Sequence, residues 1–155
     1  MSDAAELAHT VAAARGRLIE FVGRCPAEAW TSSPLADDDP RSVAVIVDHV
    51  ADAYEYLGSF VAKLARGEPV EVSPQIVDEL NARHSATVMA PSRDAVVDHL
   101  RRSGDRFVAL IEPMTADQLA AGEGRVTVTR FAEIAALHAD SHRVELEAAL
   151  ELSTS

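Results

Sequence analysis

Leu7, Val11, Ala14, Leu18 and Phe21 recur at intervals of three and four residues, the spacing that lines side chains along one face of an α-helix. The pattern returns along the chain, and each run before the last ends at Gly or Pro. The first run predicts a helix over residues 4–24, with His9 on its solvated side. The stretch CPAEAWTSSPLADDDP is dense in Pro, Ser and Asp and reads as a connection. From Ser42 to Arg66, Val45, Ile46, His49, Ala53, Tyr56, Phe60 and Leu64 share one side, and Gly67 with Pro69 stops the segment.

Ser73 followed by Pro74 combines an N-cap with the imino acid best tolerated in a first turn, opening a shorter helix to Val88. Its apolar side carries Ile76, Val77, Leu80 and His84. Ser92 caps a helix that turns Val96, Leu100, Phe107, Leu110 and Ile111 inward, and Pro113 closes it. Thr115 and Gln118 form a capping box for one or two turns ending at Gly122. Arg125 to Thr129 reads as extended, and a last helix runs from Arg130 to Glu151.

These elements predict an all-α protein, a four-helix bundle with a long crossover connection carrying a short extra helix. The link from Arg66 to Ser92 exceeds the two to eight residues that usually join antiparallel neighbours. The 155 residues suit one domain with an apolar core large enough to fold without a structural metal.

A formal net charge of −11, with no cluster of basic residues, argues against nucleic acid as a partner. No apolar run reaches the roughly 18 residues of a membrane span, and the start lacks the basic segment of a secretory signal, so a cytoplasmic protein is expected. Cys25 is alone and reads as a buried small hydrophobe, which removes a disulfide and a cysteine zinc site from consideration.

Within the last helix, the pentapeptide HADSH places His138 and His142 about 40° apart on the side that carries Phe131, Ile134, Ala135 and Ala149. His49 occupies the centre of another helix's apolar side. Imidazoles facing an interior need partners, either hydrogen bonds or a divalent metal. Bundle interiors assemble metal sites from inward side chains on facing helices, and three ligands leave a coordination position open. Glu145, beside the His138 and His142 stripe, and Asp52, about 60° from His49, are candidates to orient a ligating ring or to sit at the boundary with solvent. Tyr56, Asn81 and His84 are candidates to line the pocket or to serve the packing. His99 reads as lateral and exposed, and Asp37 to Asp39 as a solvated loop.

SVAVIVDHVADAYEYL in the second long helix and FAEIAALHADSHRVEL in the last resemble the DinB/YfiT-like superfamily of metal-dependent bundles, which includes mycothiol-dependent maleylpyruvate isomerases and bacillithiol S-transferases. The resemblance extends over nearly the whole chain. It implies one DinB-like domain over residues 1–155, with His49, His138 and His142 as ligands of a divalent metal: zinc or nickel first, iron or manganese as alternatives. Isomerases of this type often carry a carboxylate where this chain has His138. The implied activity is S-transfer or isomerisation with mycothiol or bacillithiol as cosubstrate and an electrophilic small molecule as its partner, with a homodimer as the candidate assembly. Glu145 and a metal-bound water are the candidates for moving protons. Two alternatives stay open: a metal-dependent hydrolase, and a non-catalytic metal-binding bundle associated with stress.

Overall fold

The computed structural model describes residues 3–152. Its long helices are α1 (Ala4–Arg24), α3 (Val43–Ala65), α5 (Arg93–Ile111) and α7 (Val128–Ala149); α2 (Ala27–Trp30), α4 (Pro74–Thr87) and α6 (Ala116–Leu119) lie in the connections. The protein is an all-α bundle. A minimal antiparallel hairpin pairs β1 (Gly122–Glu123) with β2 (Val126–Thr127).

Helix starts follow local chemistry. The side chains of Asp3, Ser42, Ser73, Ser92 and Thr127 each accept a backbone N–H three residues on, and Thr115 and Gln118 form the reciprocal capping box. These caps satisfy N–H groups that a helix leaves without an internal partner. Gly67 ends the α3 region at φ 79°, a conformation that suits glycine.

Direction can be read from side-chain pairs. Arg17 meets Asp140 and Arg24 meets Glu147, so α1 and α7 run parallel. Asp48 meets His99 and Glu55 meets Arg106, so α3 and α5 also run parallel. Arg15 meets Asp105 while Arg93 reaches the Val22 carbonyl, which sets α1 against α5. His49 of α3 meets His138 of α7, whereas Leu64 and Val126 line one cleft farther along, so those helices are antiparallel. The order is up, down, down, up.

Because α3 and α5 are parallel neighbours, the chain must return along the bundle between them. That return is the 66–92 crossover, and α4 lies within it. The core is filled from all four long helices by Leu18, Phe21, Ile46, Val47, Tyr54, Leu100, Phe107, Ile111 and Leu146. Cys25 is buried and His9 exposed, as the periodicity predicts.

Several boundaries differ from the sequence reading. Part of the first connection is helical: Pro26 starts α2, whose Trp30 is buried and donates its indole N–H to the Pro91 carbonyl at 3.0 Å. The alternation Val126, Thr127, Val128, Thr129 imitates a longer strand. Only Val126–Thr127 pairs, however, and Thr127 is the N-cap of α7, which runs Val128–Ala149 rather than 130–151. Ala149, placed by phase on the inward stripe, is exposed, whereas Leu146 and Glu147 beside it are buried. Among the described residues no helix is long and apolar enough to cross a membrane.

Candidate metal centre

His49 lies on the seventh residue of α3, and His138 and His142 lie one turn apart in α7, where the two helices pack antiparallel. The three rings meet: His49 Nε2 is 3.0 Å from His138 Nε2, and His142 Nε2 is 3.1 Å from the same atom. One potential ligand atom from each residue falls within 4.8 Å of the others. His49 is 2% exposed, while the His142 side chain retains 18%, so the cluster opens toward solvent on the α7 side.

Protons alone suit this arrangement poorly. A neutral imidazole nitrogen has one in-plane lone pair, and His138 Nε2 faces two other nitrogens at once. A cation satisfies all three lone pairs together. Donors about 2.0–2.1 Å from a tetrahedral metal stand about 3.3 Å apart, a few tenths of an ångström from the two separations at His138 Nε2. Burial, reinforced by the neighbouring histidines and Arg41, pushes His49 down to about 2. Burial and the charges of His142 and Arg41 push His138 down to about 3, and burial with Arg41 lowers His142. The rings are therefore neutral near pH 7, the state a metal requires.

Around these rings the structure sorts the other candidates. Glu145 Oε1 is 3.6 Å from His142 Nδ1, an ion-pair distance too long for a good hydrogen bond, and its side chain is half exposed. Asp52 is half-buried, and burial raises its carboxyl above the ordinary value; its strongest charged neighbour is His84. Tyr56 packs against Phe60, with ring centroids 6.0 Å apart, and burial followed by the charge of Asp52 pushes its hydroxyl up to about 12. Asn81 is half-buried with its Oδ1 unpartnered. His84 is buried and its ring lies 5.9 Å, centroid to centroid, from that of His49.

Three features escaped the sequence reading. Asp48 is buried and accepts hydrogen bonds from His84 Nε2 and His99 Nδ1, each at 2.8 Å. Burial alone would raise its carboxyl, but the two histidines outweigh that and hold it well below its ordinary value. His99 is therefore not a free lateral side chain: three-quarters buried, it also reaches Glu55 at 3.3 Å, and its pKa is raised first by the bond to Asp48. The third feature is Arg41, which binds both oxygens of Asp39, at 2.9 and 2.7 Å, and whose charge acts on each of the three clustered rings. Asp39 is correspondingly drawn out of the solvated loop, its carboxyl lowered by Arg41. A stripe of Asp48, Asp52 and Glu55 at four- and three-residue spacing in an apolar helix signals the first two features; nothing local signals Arg41.

A family model of the DinB superfamily matches residues 10–146. The chain belongs to the DinB superfamily. DinB proteins are generally metal-binding, and the span matched holds the three converging histidines together with Asp48, His84 and His99. Comparison with curated proteins and with solved structures returned no match.

A cleft of about 520 Å³ is lined by Leu64, Pro69, Val70, Ala121 and Val126, with Glu68 and Glu123 beside them. It lies at the opposite end of α3 from His49. Its lining contains neither histidine nor a basic group.

Proposed function

We propose that the chain is a divalent-metal-dependent enzyme that uses a low-molecular-weight thiol, mycothiol or bacillithiol, in S-transfer or isomerisation of an electrophilic small molecule. One observation carries this reading: three neutral imidazoles from two helices converge through Nε2 at a place reached from solvent beside His142. His49, His138 and His142 would hold the metal, with zinc or nickel the leading candidates because imidazole suits both. When bound, a metal with three uncharged ligands supplies Lewis acidity undiminished by ligand charge, which lowers the pKa of a thiol or water brought into the site.

The protein's own groups support the thiol reading over a protein nucleophile. Cys25 is buried with its thiol pushed up by burial, and sits at the C-terminal end of α1, so the reactive sulfur comes with the cosubstrate. Glu145 stands at the open side, 3.6 Å from His142, where it can take up a proton from an incoming thiol. Arg41, steadied by Asp39, adds positive charge beside the rings and favours anionic forms of what enters.

The test uses untagged protein, because a poly-histidine tag would compete for metal. Elemental analysis identifies the ion. Metal-loaded protein is then offered mycothiol, bacillithiol and glutathione with a bimane electrophile or maleylpyruvate. Thiol-dependent turnover by the wild type and its loss in His142→Ala is the expected result. Hydrolysis of esters or amides without thiol consumption would make the chain a hydrolase instead, and neither activity would leave a metal-binding bundle.

A further inference from the structure

His49 Nδ1 and His84 Nδ1 are both buried and without a hydrogen-bond partner, and they belong to rings packed 5.9 Å apart at 57°. If His49 ligates through Nε2, which faces the cluster, its proton must reside on Nδ1, and a buried N–H needs an acceptor. His84 offers one. Its Nε2 lies 2.8 Å from an Asp48 oxygen, and the tautomer that donates there carries a lone pair on Nδ1. Donor and acceptor are complementary only in this pair of tautomers.

A second observation concerns where His84 comes from. It is the only buried residue of α4; Ile76, Val77 and Leu80 are half-exposed. The crossover helix is thus attached to the bundle through one histidine rather than through an apolar face of its own. Asp48, its anchor, is fixed from the other side by His99, which also meets Glu55.

We propose that His84 is the positioning residue of the metal centre, accepting the His49 Nδ1–H across one water, and that metal binding thereby tightens the docking of α4. The chain of contacts runs from His49 through His84 to Asp48 and His99. Metal fixes the proton of His49 on Nδ1, that proton favours the docked His84, and by linkage a docked α4 favours metal. This rests on the metal-centre part of the proposed function and is independent of the thiol chemistry.

The experiment uses the full chain, untagged and freed of metal, with Zn²⁺ alone as probe. Zn²⁺ affinity is measured by competition with a chelator, and amide hydrogen exchange of residues 74–87 is followed with and without Zn²⁺, for wild type, His84→Leu and His84→Gln. Removing such a partner costs about 10- to 100-fold in metal affinity in known sites, and that loss is expected for His84→Leu. His84→Gln should recover most of it, since an amide can donate to Asp48 and accept from that water at once. Zn²⁺ should slow exchange in α4 of the wild type and leave α4 of His84→Leu unchanged. Unaltered affinity in His84→Leu, no recovery in His84→Gln, or α4 exchange indifferent to Zn²⁺ in the wild type would each overturn the proposal. A wild type that takes up no Zn²⁺ refutes the metal centre itself, a different failure from a wild type that binds Zn²⁺ without the help of His84. Because α4 contributes no other buried side chain, the four long helices keep their core in both variants.

Discussion

His138 Nε2 is the atom on which the cluster converges, within 3.1 Å of both other rings. Replacing His49 or His142 with Ala removes one donor of three, and metal content of purified protein should fall sharply while far-ultraviolet circular dichroism stays helical. Retained stoichiometric metal in both variants would rule out this donor set. The same residues make the metal-free protein acid-sensitive. An unfolded histidine titrates near about 6.5, whereas His49 and His138 in the folded chain are held down at about 2 and about 3. Below pH 6.5 the unfolded chain therefore binds more protons, and stability falls as pH falls toward the folded values, by at most about 1.4 kcal/mol per pH unit for each such residue. Urea midpoints of chelator-treated protein should decline from pH 7 to pH 5, and His138→Gln should show the shallower decline. Equal slopes would mean the ring is not held neutral. The inward phase of these three residues was legible from spacing alone. Arg41 was not, because a side chain that precedes an N-cap has no helical phase to read.

At the scale of elements, capping chemistry was the most reliable guide. Ser73, Ser92 and the Thr115/Gln118 box start helices where their residue types predict. It misled only where the same residues also suit a strand. Thr127 is β-branched in a run of β-branched residues, and its role as a cap became visible only once Arg130 N–H was seen to donate to its hydroxyl at 3.2 Å. Thr127→Ala should therefore destabilise by about 1 kcal/mol, the usual worth of an N-cap. Ser42→Ala should cost a similar amount at the start of the helix that carries His49. No change in urea midpoint for either would show these caps replaced by water. Gly122 is a harder constraint: φ is 118°, and a Cβ there would overlap the Val126 carbonyl oxygen. Gly122→Ala must open the hairpin, and its loss of stability should exceed that of either cap variant. The helix α2 was unreadable because four residues carry too little periodicity; what holds it is Trp30 reaching Pro91, a contact 61 positions away.

For the whole molecule, the long 66–92 link carried more information than its composition. It shows that the chain cannot turn straight back, and the parallel pairing of α3 with α5 is the reason. What sequence could not supply was how the pieces on α3, α4 and α5 meet, since Asp48, His84 and His99 are brought together only by that packing. The same architecture determines how metal and stability are related. The core is built from apolar side chains of four long helices, so chelation should leave helicity intact. Yet the cluster joins α3 to α7, and an ion that binds the folded chain alone stabilises it by RT ln(1 + [L]/Kd), about 2.7 kcal/mol at a hundredfold excess over Kd. Adding Zn²⁺ to chelator-treated protein should raise the thermal midpoint by several degrees, for a chain of this size about 2–4 °C per kcal/mol, with no change in circular dichroism at 20 °C. The shift should grow with the logarithm of free Zn²⁺ and vanish in the His49→Ala, His142→Ala double variant. A midpoint that does not depend on Zn²⁺ would mean the three rings are held by their own packing and bind no ion. A loss of helix on chelation would mean instead that the ion is part of the scaffold.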